Sequence, residues 1–254
     1  MGLSEHLAKV TDPYERQARL YPALLAGLPV IVMATALYGT NSVITAAGSV
    51  AASCGVLYLL ANIARERGKR LEPMLFESWG GKPTTQLLRH RDRTVEGPTK
   101  QRYHRFLAGK VRLEFPVEAA EAANPVFADE VYQSSIRWLL NHTRDKKNFA
   151  LLFEENIAYG FRRNSYALKN IGIVTSIGSL FWVLLSQQII SRSPKGNLLL
   201  HLATASPAAV ICLAVSVMML LVWVLFFNER VVKSAAFNYA ESLLRACDKP
   251  DQQL

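Results

Sequence analysis

Arginine, lysine and aromatic side chains recur together in one part of this chain: Arg89, Arg91, Arg93, Lys100, Arg102, Tyr103, His104, Arg105, Lys110 and Arg112, then Tyr159, Phe161, Arg162, Arg163 and Asn164. Guanidinium forks hold phosphates through paired hydrogen bonds, and aromatic rings stack on bases or pack on acyl chains. Arg89, Arg91, Arg102, Arg105, Lys110, Arg162 and Arg163 are therefore candidate contacts for an anionic ligand, a nucleotide included. Three readings share the 89–112 cluster: a solvated basic face, contact with anionic lipid, and binding of a nucleotide or nucleic acid. Arg162, Arg163 and Lys169 stand just ahead of an apolar stretch, where basic residues set membrane orientation and meet headgroups.

Other motifs fall short of chemistry. Trp79 to Thr85, WGGKPTT, contains the Gly-Lys step of a phosphate loop, but the earlier Gly of that loop would fall at Phe76, and Pro83 separates Lys82 from the hydroxyls. A Gly-Pro turn exposing Trp79, or a nest of Gly80 and Gly81 amides, remains. His90, Arg91 and Asp92 spell the HRD of a kinase catalytic loop, yet Gly97 stands where that loop carries its Asn. His6, His90, His104, His142 and His201 lack metal-site spacing, and the adjacent Glu154 and Glu155 point in different directions on a helix. Cys54, Cys212 and Cys247 form no CxxC pair. The expectation is a protein with no catalytic set, no metal and no cofactor.

The elements that must position these residues are dominated by four stretches without Asp, Glu, Lys or Arg: Leu20 to Tyr38, Val43 to Ile63, Asn170 to Ile190 and Pro207 to Phe227. Each is about the 20 residues that a helix needs to cross an apolar layer of about 30 Å. A signal peptide does not fit the first, because a second span follows after a loop of only residues 39–42. Residues 64–169 carry 20 Lys or Arg against 13 Asp or Glu, while the loop 39–42 carries no basic residue and 191–206 only Arg192 and Lys195. Basic loops stay inside, which places both termini and the 64–169 segment in the cytoplasm of a bacterial inner-membrane protein.

The expected fold is an all-α membrane protein: four transmembrane helices in two hairpins, with a mostly helical cytoplasmic domain between spans 2 and 3. Its regions are an amphipathic N-terminal segment 1–19 with Ser4 as N-cap, a hairpin 20–63, the basic domain 64–169, a second hairpin 170–227 and an amphipathic tail 228–254. Small residues Gly48, Ala52 and Gly55 in the second span, and Gly172, Ser176 and Ser179 in the third, mark helix-packing faces or the lining of an oligomeric pore. Pro22 and Pro29 are expected to kink the first span.

Within the basic domain, a helix continuing from the second span runs to Glu77 and stops at Trp79 to Pro83. Thr84 or Thr85 is expected to cap a helix through His90, and Thr99 one ending at Gly109. Val111 to Phe115 has the character of a strand, Pro116 to Ala123 and Ala128 to Arg144 that of helices. Phe149 to Phe161 is expected to run unbroken into the third span, and Val231 to Leu243 to prolong the fourth as an amphipathic stalk.

The strings WGGKPTT, LRHRD, QRYH and YGFRRN resemble a family of uncharacterised bacterial multi-pass membrane proteins, a resemblance that implies membrane insertion and no particular activity. In layout the chain is similar to membrane effectors of bacterial anti-phage defence, in which a cytoplasmic signal triggers permeabilisation; layout alone does not fix function. The leading expectation is a non-enzymatic protein, expected as a homo-oligomer, that couples a cytoplasmic ligand- or partner-binding domain to its four-helix bundle, an oligomeric pore-forming effector of bacterial defence being one form it could take. The alternative is an anchor that recruits a soluble cytoplasmic protein. Spans free of ionisable groups argue against a transporter.

Overall fold

The computed structural model of the chain describes residues 12–39, 43–190 and 205–249, the side chains of 38 and 43–53 left out. The expectations for Ser4, for Gly48 and Ala52 as packing residues, and for the loop 191–204 lie outside that description.

Among the described residues every regular element is a helix. A π-helical turn Glu15–Leu20 leads into α1 (Tyr21–Tyr38), which continues through Pro29. Next come α2 (Val43–Ser78), α3 (Pro83–Leu88), α4 (Gly97–Val111), α5 (Glu118–Ala123), α6 (Pro125–His142) and α7 (Ala150–Ser186). The chain finishes with α8 (Pro207–Leu221), a π-helical turn Val222–Phe226, α9 (Glu229–Leu244) and a 3-10 turn Arg245–Asp248.

Among the described residues three helices are long and apolar enough to cross a membrane: Glu15–Leu37, Ala150–Ser186 and Pro207–Phe226, with mean hydropathies of 2.0, 1.6 and 2.9. The stretch expected as the second span forms the N-terminal part of α2 and is not among the three.

Helix ends explain where the expected boundaries move. Gly80 and Gly81 take φ of 86° and 128°, and their amides bond to the carbonyls of Glu77 and Phe76 at 3.1 and 2.7 Å. That is a Schellman cap, which a side chain at either position would strain. Thr84 and Thr85 do not cap α3, and Thr99 does not cap α4. Pro83 and Pro98 sit in the first helical positions, where the fixed φ of proline suits the helix, so the starts move to Pro83 and Gly97. The strand expected at 111–115 is absent. Arg112 adopts a left-handed φ of 55° and ends α4 just after Val111, and Leu113 and Phe115 follow that cap without pairing. The tail does not prolong the fourth span either. The chain leaves helical geometry at Phe227 (ψ 92°), and Asn228 Oδ1 accepts the Val231 amide at 3.2 Å, so α9 starts anew. The unbroken course expected from the 149–161 stretch into the third span is observed in α7.

The chain divides into two compact units, Met1–Arg70 with Gly160–Val232 and Leu71–Tyr159 with Lys233–Leu254. In the first, Ala26, Ala64, Leu168, Met219, Trp223 and Phe227 form one buried cluster, and Val183, Ala209 and Cys212 another. Val174, Ile177, Phe181 and Leu185 on α7 and Ile211, Met218 and Leu221 on α8 point outward, an apolar exterior of the kind lipid covers.

The second unit packs α3, α4, α6, the start of α7 and the end of α9 around Leu87, Leu88, Tyr103, Leu107, Tyr132, Ile136, Leu139, Phe149, Leu152, Leu243 and Leu244. The tail therefore completes this core, Ala240, Leu243 and Leu244 being fully buried in it.

Candidate functional site

Arg89 is buried rather than displayed. Its Nε and a terminal nitrogen donate to the two carboxylate oxygens of Asp129 at 2.8 and 2.5 Å, and its other nitrogen donates to the Gly80 carbonyl at 2.7 Å. The hydrogen bond to Asp129 raises the Arg89 pKa further against the opposing cost of burial. One guanidinium thus ties the 79–81 turn to α6.

Neighbouring motif residues are consumed in the same way. Lys100 donates to the carbonyls of Arg89 and Asp92 at 2.6 and 2.5 Å, and burial lowers its pKa. Buried Glu121 accepts from the His90 amide at 2.9 Å and the Tyr132 hydroxyl at 2.8 Å. His90 and His104 each donate from Nε2 to a carbonyl, Pro116 at 2.9 Å and Leu88 at 2.7 Å, and their rings meet edge to face at 5.0 Å. Burial pushes His104 down to about 4, and it pushes the Tyr132 hydroxyl far up, so both are neutral at pH 7. These protons are committed to fixed acceptors, which gives the LRHRD and QRYH strings a structural task.

The remaining expected anion contacts each have their own surroundings. Arg91 borders a hollow of about 220 Å³ that also holds Arg89, Glu118, Glu121 and Asp129, three carboxylates against two guanidiniums. Arg102 pairs with Asp248 at 3.3 Å on the surface. Lys110 Nζ lies 5.4 and 5.8 Å from the Phe106 and Trp138 ring centres, a cation-π placement. Arg105 is exposed.

In the first unit Arg162 is half-buried, whereas buried Arg163 donates from Nε and a terminal nitrogen to Asn164 Oδ1, both at 3.2 Å. Asn164, fully buried, passes a hydrogen bond of 2.7 Å to the Ala18 carbonyl. YGFRRN is thus a clamp on the π-helical turn. Among the expected packing residues, Gly172 has the Trp223 indole where a Cβ would stand, Ser176 is buried and bonds back to the Gly172 carbonyl at 2.6 Å, and Ser179 is buried. Gly55 is exposed and faces open space.

The candidate site lies elsewhere in the second unit, in a cavity of about 210 Å³ beside the WGGKPTT turn. Each wall is one helix face. Glu72 and Phe76 come from the end of α2, and Lys82, Pro83, Thr84 and Thr85 from the turn and α3. Gln133, Ile136, Arg137 and Leu140 follow i, i+3, i+4, i+7 spacing on α6; Tyr159 comes from α7, and Ala236, Tyr239 and Leu243 from α9. Tyr159 donates to Glu72 Oε1 at 2.6 Å and lies parallel to Tyr239, centroids 6.2 Å apart and planes 6° apart. Lys82 Nζ donates to Gln133 Oε1 at 2.9 Å. Thr85 is 1 % exposed, and its hydroxyl has no hydrogen-bond partner among the described residues. Sequence inspection picked out Lys82 but missed Arg137, whose signal is a cation between Ile136 and Leu140 on one helical stripe.

Among the described residues, no three His, Cys, Asp or Glu side chains assemble as metal ligands. Comparison of the chain with protein-family models, curated proteins and solved structures finds no match.

Proposed function

We propose that this chain is a non-enzymatic, multi-pass inner-membrane protein in which a helical anchor carries a cytoplasmic recognition module, the 71–159 and 233–249 unit. In this reading the 43–63 part of α2 is a fourth span, and both termini are cytoplasmic, as the basic-residue asymmetry supports. The observation that carries the recognition role is the cavity with its buried, unpartnered Thr85 hydroxyl and cations at its wall. The polar core around Arg89 is hydrogen-bonded already, which supports a scaffold for that cavity in preference to an anion site of its own.

The test is native mass spectrometry of the full chain released from mild detergent, beside alkaline extraction of its membranes. A small-molecule mass retained on a chain that resists extraction supports the proposal. A bare chain that extracts into the soluble fraction contradicts it.

A second reading, an oligomeric pore-forming effector of bacterial defence, draws support from the first unit. Ser165, Ser179 and Ser216 bury hydroxyls that have no hydrogen-bond partner among the described residues, and such groups gain on meeting water. Dye leakage from liposomes holding the chain, lost in Ser179→Leu, would favour it; tight liposomes would exclude it.

A further inference from the structure

We propose that the cavity beside the 79–85 turn binds a small aromatic carboxylate, on the scale of benzoate. The proposal rests on the second unit being a recognition module and names its ligand class.

Size sets the first limit. The cavity holds about 210 Å³. An apolar cavity of about 150 Å³ accepts benzene, so one ring with a small substituent fits. A nucleotide exceeds the space.

Charge and polarity set the second. Lys82 and Arg137 line the cavity, and neither makes an ion pair with a carboxylate among the described residues. Lys82 commits a hydrogen bond only to the neutral side chain of Gln133, at 2.9 Å. Glu72, the acidic residue of the lining, accepts the Tyr159 hydroxyl. Two cations against one engaged carboxylate favour an anion. The Thr85 hydroxyl is a buried donor whose need such an anion would meet.

The rest of the lining sets the third. Parallel Tyr159 and Tyr239, with Ile136 and Leu140, present rings and aliphatic carbon where the ligand body would lie. Inorganic phosphate would satisfy the cations and leave that surface uncovered; a neutral aromatic would do the reverse. An aromatic carboxylate satisfies both.

The experiment is calorimetric titration of the detergent-solubilised full chain with benzoate, with benzyl alcohol and inorganic phosphate as controls. Benzoate is expected to saturate at one per chain, with benzyl alcohol and phosphate each weaker by about tenfold or more. Arg137→Gln and Thr85→Val should each weaken benzoate by about fivefold to tenfold, with helix content unchanged by circular dichroism. Leu140→Trp, at an exposed cavity position, should abolish binding by filling the space without touching a buried hydrogen bond. Absence of saturable benzoate binding, equal binding of phosphate, or unchanged affinity in Thr85→Val and Leu140→Trp would overturn the proposal. A retained native ligand mass without benzoate binding would overturn the ligand class alone. Absence of both would overturn the recognition module with it.

Discussion

Arg89 and Asp129 meet as a two-pronged pair, with nitrogen-to-oxygen distances of 2.8 and 2.5 Å, and the same guanidinium holds the Gly80 carbonyl. The pair joins the LRHRD string to α6 across a partly dry interior, the side chains being 10 % and 25 % exposed. Breaking a buried pair from one side leaves a stranded charge. Asp129→Asn is therefore expected to cost about 2 to 4 kcal/mol, at or just below the range for fully buried pairs because Asp129 is partly wet. Denaturant unfolding of the solubilised chain measures this, and a loss under about 0.5 kcal/mol would mark the pair as an ordinary surface contact.

His104 gives the second unit a pH dependence. Burial holds its folded value at about 4, below the ordinary 6.5. Between those two values the unfolded chain takes up a proton that the folded chain refuses, so stability falls as pH drops from 6.5 toward 4 and this contribution is fully present above 6.5. The loss amounts to roughly 3 kcal/mol. His104→Phe, which keeps a ring beside Phe115 and Tyr132, should flatten this slope; an identical slope in that variant would assign it to another group.

Gly172 is expected to tolerate no side chain, because the Trp223 indole occupies the place of its Cβ. Gly172→Val should lower the melting temperature of the solubilised chain by overpacking, a cost of about 1 to 3 kcal/mol or more. Gly172→Val combined with Trp223→Ala should recover part of that loss. Equal melting of wild type and Gly172→Val would mean that the two helices do not approach in this way.

Asn164 links buried Arg163 to the Ala18 carbonyl. Asn164→Leu takes the amide away from both Arg163 and the Ala18 carbonyl at once and is expected to destabilise by about 1 to 3 kcal/mol. Asn164→Asp should be worse, since it sets a buried carboxylate oxygen against the Ala18 carbonyl oxygen with no proton between them. Asp better tolerated than Leu would show that pairing with Arg163 outweighs the bond to Ala18.

The apolar stretches and the WGG break are legible in the sequence, since uninterrupted apolarity and paired glycines act locally. The strand expected at 111–115 fails for a local reason too: Val111, Leu113 and Phe115 alternate, but Arg112 supplies a left-handed helix cap that composition does not announce. The candidate site is harder. Arg89 and Arg137 look alike in a list of cations, and what separates them is a carboxylate 40 residues from Arg89 that reaches one and not the other. The cavity draws its walls from residues 72 to 243, a convergence that no local pattern encodes.

The central claim, a cytoplasmic module on a four-span anchor, is tested most directly by a dual topology reporter fused after Leu254. With four spans the C-terminus lies in the cytoplasm; if 43–63 does not cross, the count falls to three, and the C-terminus and the second unit face outside. Green fluorescence without phosphatase activity is the predicted result. Phosphatase activity without fluorescence would contradict the account.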